Sequence, residues 1–190
     1  MVSIFKNDLL SLSNTQLVNK YYLSGGSFAL DDSMHHQIRE KVANHFQVDF
    51  SKVFLVGSAK LGFSIKPKRR FLPFRDESDI DIVIISQDLY ERIWQELYSF
   101  ERNGGYWEQS HSFKEYHFKG WMRPDKLPLE TSFIRTRMWW DFFEGISGSG
   151  EFGPYRIRGG LYHSRFFFEN YQNQCFEQCR TQLNNENFSN

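Results

Sequence analysis

The sequence predicts an α/β (α+β) fold, a small mixed sheet with helices packed around it. Three observations carry that expectation. Two short apolar runs, Val53-Phe54-Leu55-Val56 and Ile80-Asp81-Ile82-Val83-Ile84-Ile85, stand between turn residues and read as buried strands. Apolar residues recur at helical spacing before and after them, at Ile38, Val42 and Phe46 and at Leu89, Ile93, Trp94 and Leu97. With 190 residues, 40% of them hydrophobic and 18% aromatic, the chain can bury one domain-sized core.

Each element follows in order. A helix is expected near residues 14–22, broken by Ser24-Gly25-Gly26-Ser27. That break lacks the Lys-Ser/Thr of a phosphate-binding P-loop, so a plain turn between helices is the reading. Asp31-Asp32-Ser33 caps a helix that runs to about Phe46. The first strand follows, and Gly57-Ser58 ends it. After the second strand, residues 88–100 read as a helix closed by Asn103-Gly104-Gly105. Residues 111–121 fit either a strand or a helix. Pro124 and Pro128 bracket a loop. Residues 132–143 read as a helix with Phe133, Met138, Trp139, Phe142 and Phe143 on its surface, and residues 145–153 as a flexible glycine-serine loop. A short strand is expected at 155–158, a long aromatic helix at 161–183, and a frayed tail at 184–187. The expectation is one domain, with a core over about 30–130 and a helical C-terminal part over about 131–183.

Composition bounds the function. Lys+Arg and Asp+Glu balance at 23 each, so no overall field advertises a nucleic-acid partner. The charge is nevertheless clustered locally: Lys60, Lys66, Lys68, Arg69, Arg70 and Arg75 crowd the segment between the two strands. Cys175 and Cys179 lie four apart on the last helix, which suits neither a disulfide framework nor a zinc site. No signal-peptide pattern and no membrane-spanning apolar run is present, so a reduced, cytoplasmic protein without a membrane partner is expected. The histidines, His35-His36 included, show no zinc or triad spacing.

The chemistry-bearing residues sit at the two strands. Residues two apart on a strand project to one face, so Asp79 and Asp81 point together while Ile80, Ile82 and Ile84 point the other way. Two adjacent carboxylates repel, and a divalent cation relieves that cost. Such hard oxygen ligands suit Mg²⁺ or Mn²⁺. Gly57 lets backbone amides approach a ligand closely and Ser58 adds a hydroxyl, so a strand, this turn and the helix start after it make a phosphate cradle. A cradle beside paired aspartates is the outline of metal-dependent nucleotidyl transfer.

Gly57-Ser58 after an apolar strand, with Asp79-Ile80-Asp81 opening the next, resembles the signature of the DNA polymerase β-like nucleotidyltransferases. The spacer pattern Gly-Ser-x-x-x-Gly-x-x-Ile-x-Pro is similar to that of bacterial CD-NTases, and the short chain is similar in size to the minimal nucleotidyltransferases of toxin–antitoxin modules. The likeness covers roughly residues 51–86. It implies transfer of an NMP from an NTP to a hydroxyl on a protein, RNA or nucleotide, with Mg²⁺ (or Mn²⁺) on Asp79 and Asp81. It implies that Gly57 and Ser58 hold the phosphates, helped by the basic residues Lys60, Lys68, Arg69 and Arg70. A defence or toxin–antitoxin role follows from the resemblance alone.

The family also has a third carboxylate from a later strand. Glu115, Asp125, Glu130 and Asp141 all qualify, and Glu130 is the narrow choice because it follows the extended Leu127-Pro128-Leu129. The strand expected at 155–158 offers arginines and no acid. If it occupies the third ligand's place, the site is degenerate, and the chain is a nucleotide- or RNA-binding regulatory module. A third class is an interaction subunit that meets a protein partner through its aromatic C-terminal helices. Phe71, Phe74, Trp121, Trp139 and Trp140 fit base stacking, but core packing is the simpler reading for each.

Overall fold

In a computed structural model, residues 1–129 and 133–188 are described. The centre of the architecture is β2 (Ile80–Ile85), whose apolar residues are buried on both faces, as a run without alternation requires. It pairs antiparallel with β1 (Val53–Val56) on one side and parallel with β4 (Ile157–Tyr162) on the other. β3 (Trp121–Met122) closes the far edge, giving the order β1-β2-β4-β3. The sheet is mixed and the fold is α+β, as expected.

Two apolar layers flank the sheet. Ile80, Ile82 and Ile84 join Val53, Leu55, Ile157 and Leu161 on the first. That layer is covered by α3 (Asp32–Phe46), α5 (Gln87–Arg102), α6 (Ser110–Phe118) and α7 (Ile134–Gly148). Val56, Val83, Ile85 and Tyr162 face the second. There they meet α1 (Val2–Ser11), α2 (Asn14–Val18) with its π-helical continuation Asn19–Leu23, and α8 (Arg165–Phe188). Phe5, Phe168 and Phe176 are fully buried in this layer, and each stabilises it by roughly 1.5–3 kcal/mol. Among the described residues no helix is long and apolar enough to cross a membrane.

Local chemistry explains where the helices start. Asp31 accepts from the Met34 amide at the head of α3, and Ser86 accepts from the Leu89 amide at the head of α5. Ser13 and Gln16 form a reciprocal capping box before α2. The ambiguous stretch 111–121 resolves into α6 followed by β3.

Several boundaries differ from expectation. β4 runs through Gly159 and Gly160 to Tyr162, so α8 starts at Arg165 rather than at 161. Glycines weaken a strand, but here they make room for rings. A Cβ on Gly159 would lie 2.2 Å from Phe143 and 2.9 Å from Trp139. α8 continues to Phe188, through the tail expected to fray. α7 continues past Gly145 to Gly148, and the Ser147 hydroxyl pins that turn by donating to Phe143 O at 2.6 Å and accepting from the Ile157 amide at 2.8 Å. On α5 the buried face holds Tyr90, 1% exposed, whereas Trp94 is 45% exposed. The Ser24–Ser27 break is a turn, as expected.

The spacer between the strands is an ordered excursion. α4 (Gly57–Leu61) is a single helical turn, after which residues 62–74 fold back as a hairpin. Ser64 N donates to Leu72 O, Phe71 N to Ser64 O and Phe74 N to Gly62 O. Phe63 and Ile65 bury its inner side, and the turn Pro67–Arg69 forms its exposed tip.

Candidate functional site

The antiparallel register of β1 and β2 sets Val56 opposite Asp81. The next residue, Gly57, is therefore beside that carboxylate. Its φ is +68°, and a Cβ there would stand 2.7 Å from Asp81 Oδ2. Backbone conformation and space both demand glycine. Ser58 follows as the second residue of α4 and is half-buried.

Asp79 immediately precedes β2, whose first amide, Ile80 N, donates to Arg156 O at 2.8 Å. Asp79 and Asp81 lie on the face away from Ile80, Ile82 and Ile84. The parallel register of β4 places Arg158 directly opposite Asp81. Arg158 Nε lies 3.0 Å from Asp79 Oδ2, an ion pair whose side chains are 48% and 34% exposed. Burial pushes the Asp81 carboxyl above the usual range, and the Asp79 charge adds to that push. The Lys66 ammonium and the Arg158 guanidinium pull it back. Behind the pair, Tyr22 and Cys175 belong to the wall of the second layer. The fields of Asp81 and Cys175 act on the Tyr22 hydroxyl, and that of Lys66 on the Cys175 thiol.

The basic residues separate into two groups. Lys60 is buried, and its ammonium is engaged by backbone carbonyls. Its ammonium donates to Ser24 O and Gly25 O at 2.7 Å, and to Gly26 O. Burial and the Arg39 guanidinium lower its pKa to about 8, and the three carbonyls hold the proton against that pull. Lys60 thus fastens the Ser24–Gly26 turn to α4. Arg70 reaches Gln182 on α8 at 3.2 Å and lies over the Phe71 ring. Lys66, Lys68 and Arg69 are exposed at the hairpin tip, and Arg75 is exposed beyond it.

Glu130 lies outside the described residues. The other acids considered for a third ligand are elsewhere. Asp125 is clamped by Arg123 at 2.9 Å and approached by Lys126 at 3.3 Å. Glu115 is 3.5 Å from His111 on α6, and Asp141 is exposed on α7. Among the described residues no group of three His, Cys, Asp or Glu side chains gathers in a metal-holding arrangement. Among the described residues two carboxylates meet at this corner, and one of them is paired with a guanidinium. That described set does not fit a two-metal centre, which uses negative charge where Arg158 brings positive charge.

The aromatic residues pack inward. Trp139 is buried, and Trp121 stacks on Tyr162 with ring centroids 5.5 Å apart. Phe71 and Phe74 pack against the two cores, and Trp140 is half-buried. Phe168 and Phe176 of α8 and Phe143 of α7 are core residues, whereas Met138 and Phe166 remain exposed. Open concavities bordered by Arg92 run along α5, on the layer opposite the aspartates.

Sequence reasoning noticed arginines on the later strand but did not pair Arg158 with Asp79. The only signal was alternation from Arg156 to Arg158, without the register that brings them to β2. Comparison with family models, curated proteins and solved structures returns no match.

Proposed function

We propose that the chain is a nucleotide-binding module on a nucleotidyltransferase-like scaffold whose transfer chemistry is lost. One observation carries this reading: Arg158 stands opposite Asp81 on the neighbouring strand and pairs with Asp79. Phosphoryl-group transfer is almost entirely positioning and charge stabilisation. It needs one cation to activate the acceptor hydroxyl and another to hold the leaving pyrophosphate. A guanidinium paired with one of the two carboxylates works against both. The same guanidinium, with Lys66, Lys68 and Arg69 on the hairpin, suits the phosphates of an NTP. Gly57 and Ser58 bring backbone and hydroxyl donors to the same corner.

A second reading is Mg²⁺- or Mn²⁺-dependent transfer of an NMP to a protein, RNA or nucleotide hydroxyl. The close approach of Gly57 to Asp81 favours it, because a phosphate cradle beside an aspartate pair is what that chemistry uses. A defence or toxin–antitoxin setting, and a protein partner at the C-terminal helices, belong to the same proposal and rest on the sequence resemblance.

The two readings separate in one assay. The full chain is incubated with each NTP and Mg²⁺ or Mn²⁺, in the presence of RNA or protein acceptors. Binding without pyrophosphate release supports the module. Release that disappears in both Asp79→Asn and Asp81→Asn supports the enzyme.

A further inference from the structure

The charges around the aspartates are balanced in a way that does not favour a dication. Asp79 faces Arg158 at 3.0 Å, and Asp81 feels both Arg158 and Lys66. A divalent ion entering here meets the Arg158 guanidinium at Asp79 and the field of Lys66 at Asp81, as well as the two carboxylates. The guanidinium already holds the Asp79 oxygen that a metal would need. A phosphate meets the same carboxylates but can take over the guanidinium that Asp79 holds. Arg158 presents a planar fork that matches phosphate oxygens, and Lys66 acts on Asp81 as a second positive charge.

We propose that Arg158 and Lys66 take the place of a metal, so that this site binds the triphosphate of a nucleotide without a divalent cation, and that Asp79 is the internal competitor the phosphates displace. This rests on the nucleotide-binding reading above. The Arg158–Asp79 pair is open enough to exchange, with 48% and 34% of the two side chains exposed. Ion pairs at that exposure are held weakly. A phosphate with several charged oxygens outcompetes a single carboxylate for the guanidinium.

The proposal fixes the sign of one substitution. In a metal site Asp79 is a ligand, and Asp79→Asn weakens triphosphate binding. In an arginine site Asp79 is a competitor, and Asp79→Asn strengthens it. The experiment is calorimetric titration of the full chain with ATP, and separately with inorganic tripolyphosphate, in Mg²⁺ and in EDTA. The variants are Asp79→Asn, Arg158→Ala and Arg158→Lys, each checked for an unchanged circular-dichroism spectrum. The expected results are affinity within about twofold in the two buffers and a gain of several-fold in Asp79→Asn. Arg158→Ala should lose at least about tenfold, the equivalent of one charge-assisted bond of about 1.4 kcal/mol. Arg158→Lys should lose less, because it keeps the charge without the fork. Loss of binding in EDTA together with weaker binding by Asp79→Asn would overturn the inference and leave the nucleotide-binding reading intact. Failure of the unmodified chain to bind either probe in either buffer would overturn both.

Discussion

Gly57 and Asp81 form the tightest constraint at the residue scale. At Gly57 a Cβ faces two penalties, the left-handed φ of +68° and the Asp81 oxygen at 2.7 Å. Gly57→Ala should therefore lower stability by about 2 kcal/mol, roughly 4–8 °C in melting temperature. Adding Asp81→Ala should recover part of that loss, because the clash goes and only the backbone strain remains. Purely additive losses in the double variant would show that the two residues do not touch. Asp81 carries its own pH signature. Its folded carboxyl is raised, so the ionised form costs the fold above that raised value. Below the ordinary carboxylate range, about 3.9, folded and unfolded chains both hold the proton and the cost vanishes. Asp81→Asn should thus stabilise the protein at pH 7, with the gain fading on acidification through that window. A gain that is the same at pH 7 and pH 3 would contradict the assignment. The aspartate pair and the glycine were legible in sequence, because the period of a strand and the punctuation after it are local rules. Arg158 as their partner was not legible. Its place depends on parallel pairing between segments more than seventy residues apart in sequence.

At the scale of elements, the sequence located β1, β2, α3 and α5 well because caps and periodicity agree there. It failed where packing overrides local propensity. Gly159-Gly160 looks like the end of a strand, yet Phe143 and Trp139 occupy the space a side chain at Gly159 would fill. The first helix is expected at residues 14–22, yet α1 precedes it with Phe5 and Leu9 buried in the second core layer, and Arg180 from α8 donates to Leu9 O and Leu12 O at its end. Lys60 shows the same override for function: a lysine beside the cradle reads as a phosphate ligand, but three backbone carbonyls hold it. Lys60→Met should remove the donor shared by three carbonyls of the exposed Ser24–Gly26 turn and cost on the order of 1–2 kcal/mol. Its effect on nucleotide affinity, measured on the folded fraction at low temperature, should be less than twofold. A tenfold loss of affinity without loss of stability would return Lys60 to the ligand set.

At the scale of the whole molecule, one mixed sheet separates two apolar layers and the aspartates face the second. That face is packed by α1, α2 and α8, and the aspartates sit at the start of β2 beside the start of β4. The scaffold thus carries a Gly-Ser turn, an aspartate pair and an arginine at one corner, with exposed cations on the adjoining tip. In the proposed function this corner receives a nucleotide and does not transfer it. The most direct test measures both properties on one preparation: a saturable calorimetric isotherm with ATP, and continuous detection of pyrophosphate with Mg²⁺ or Mn²⁺ present. The account predicts saturation with pyrophosphate no faster than in the protein-free control. Pyrophosphate release that rises with protein concentration and is abolished by Asp79→Asn would contradict it.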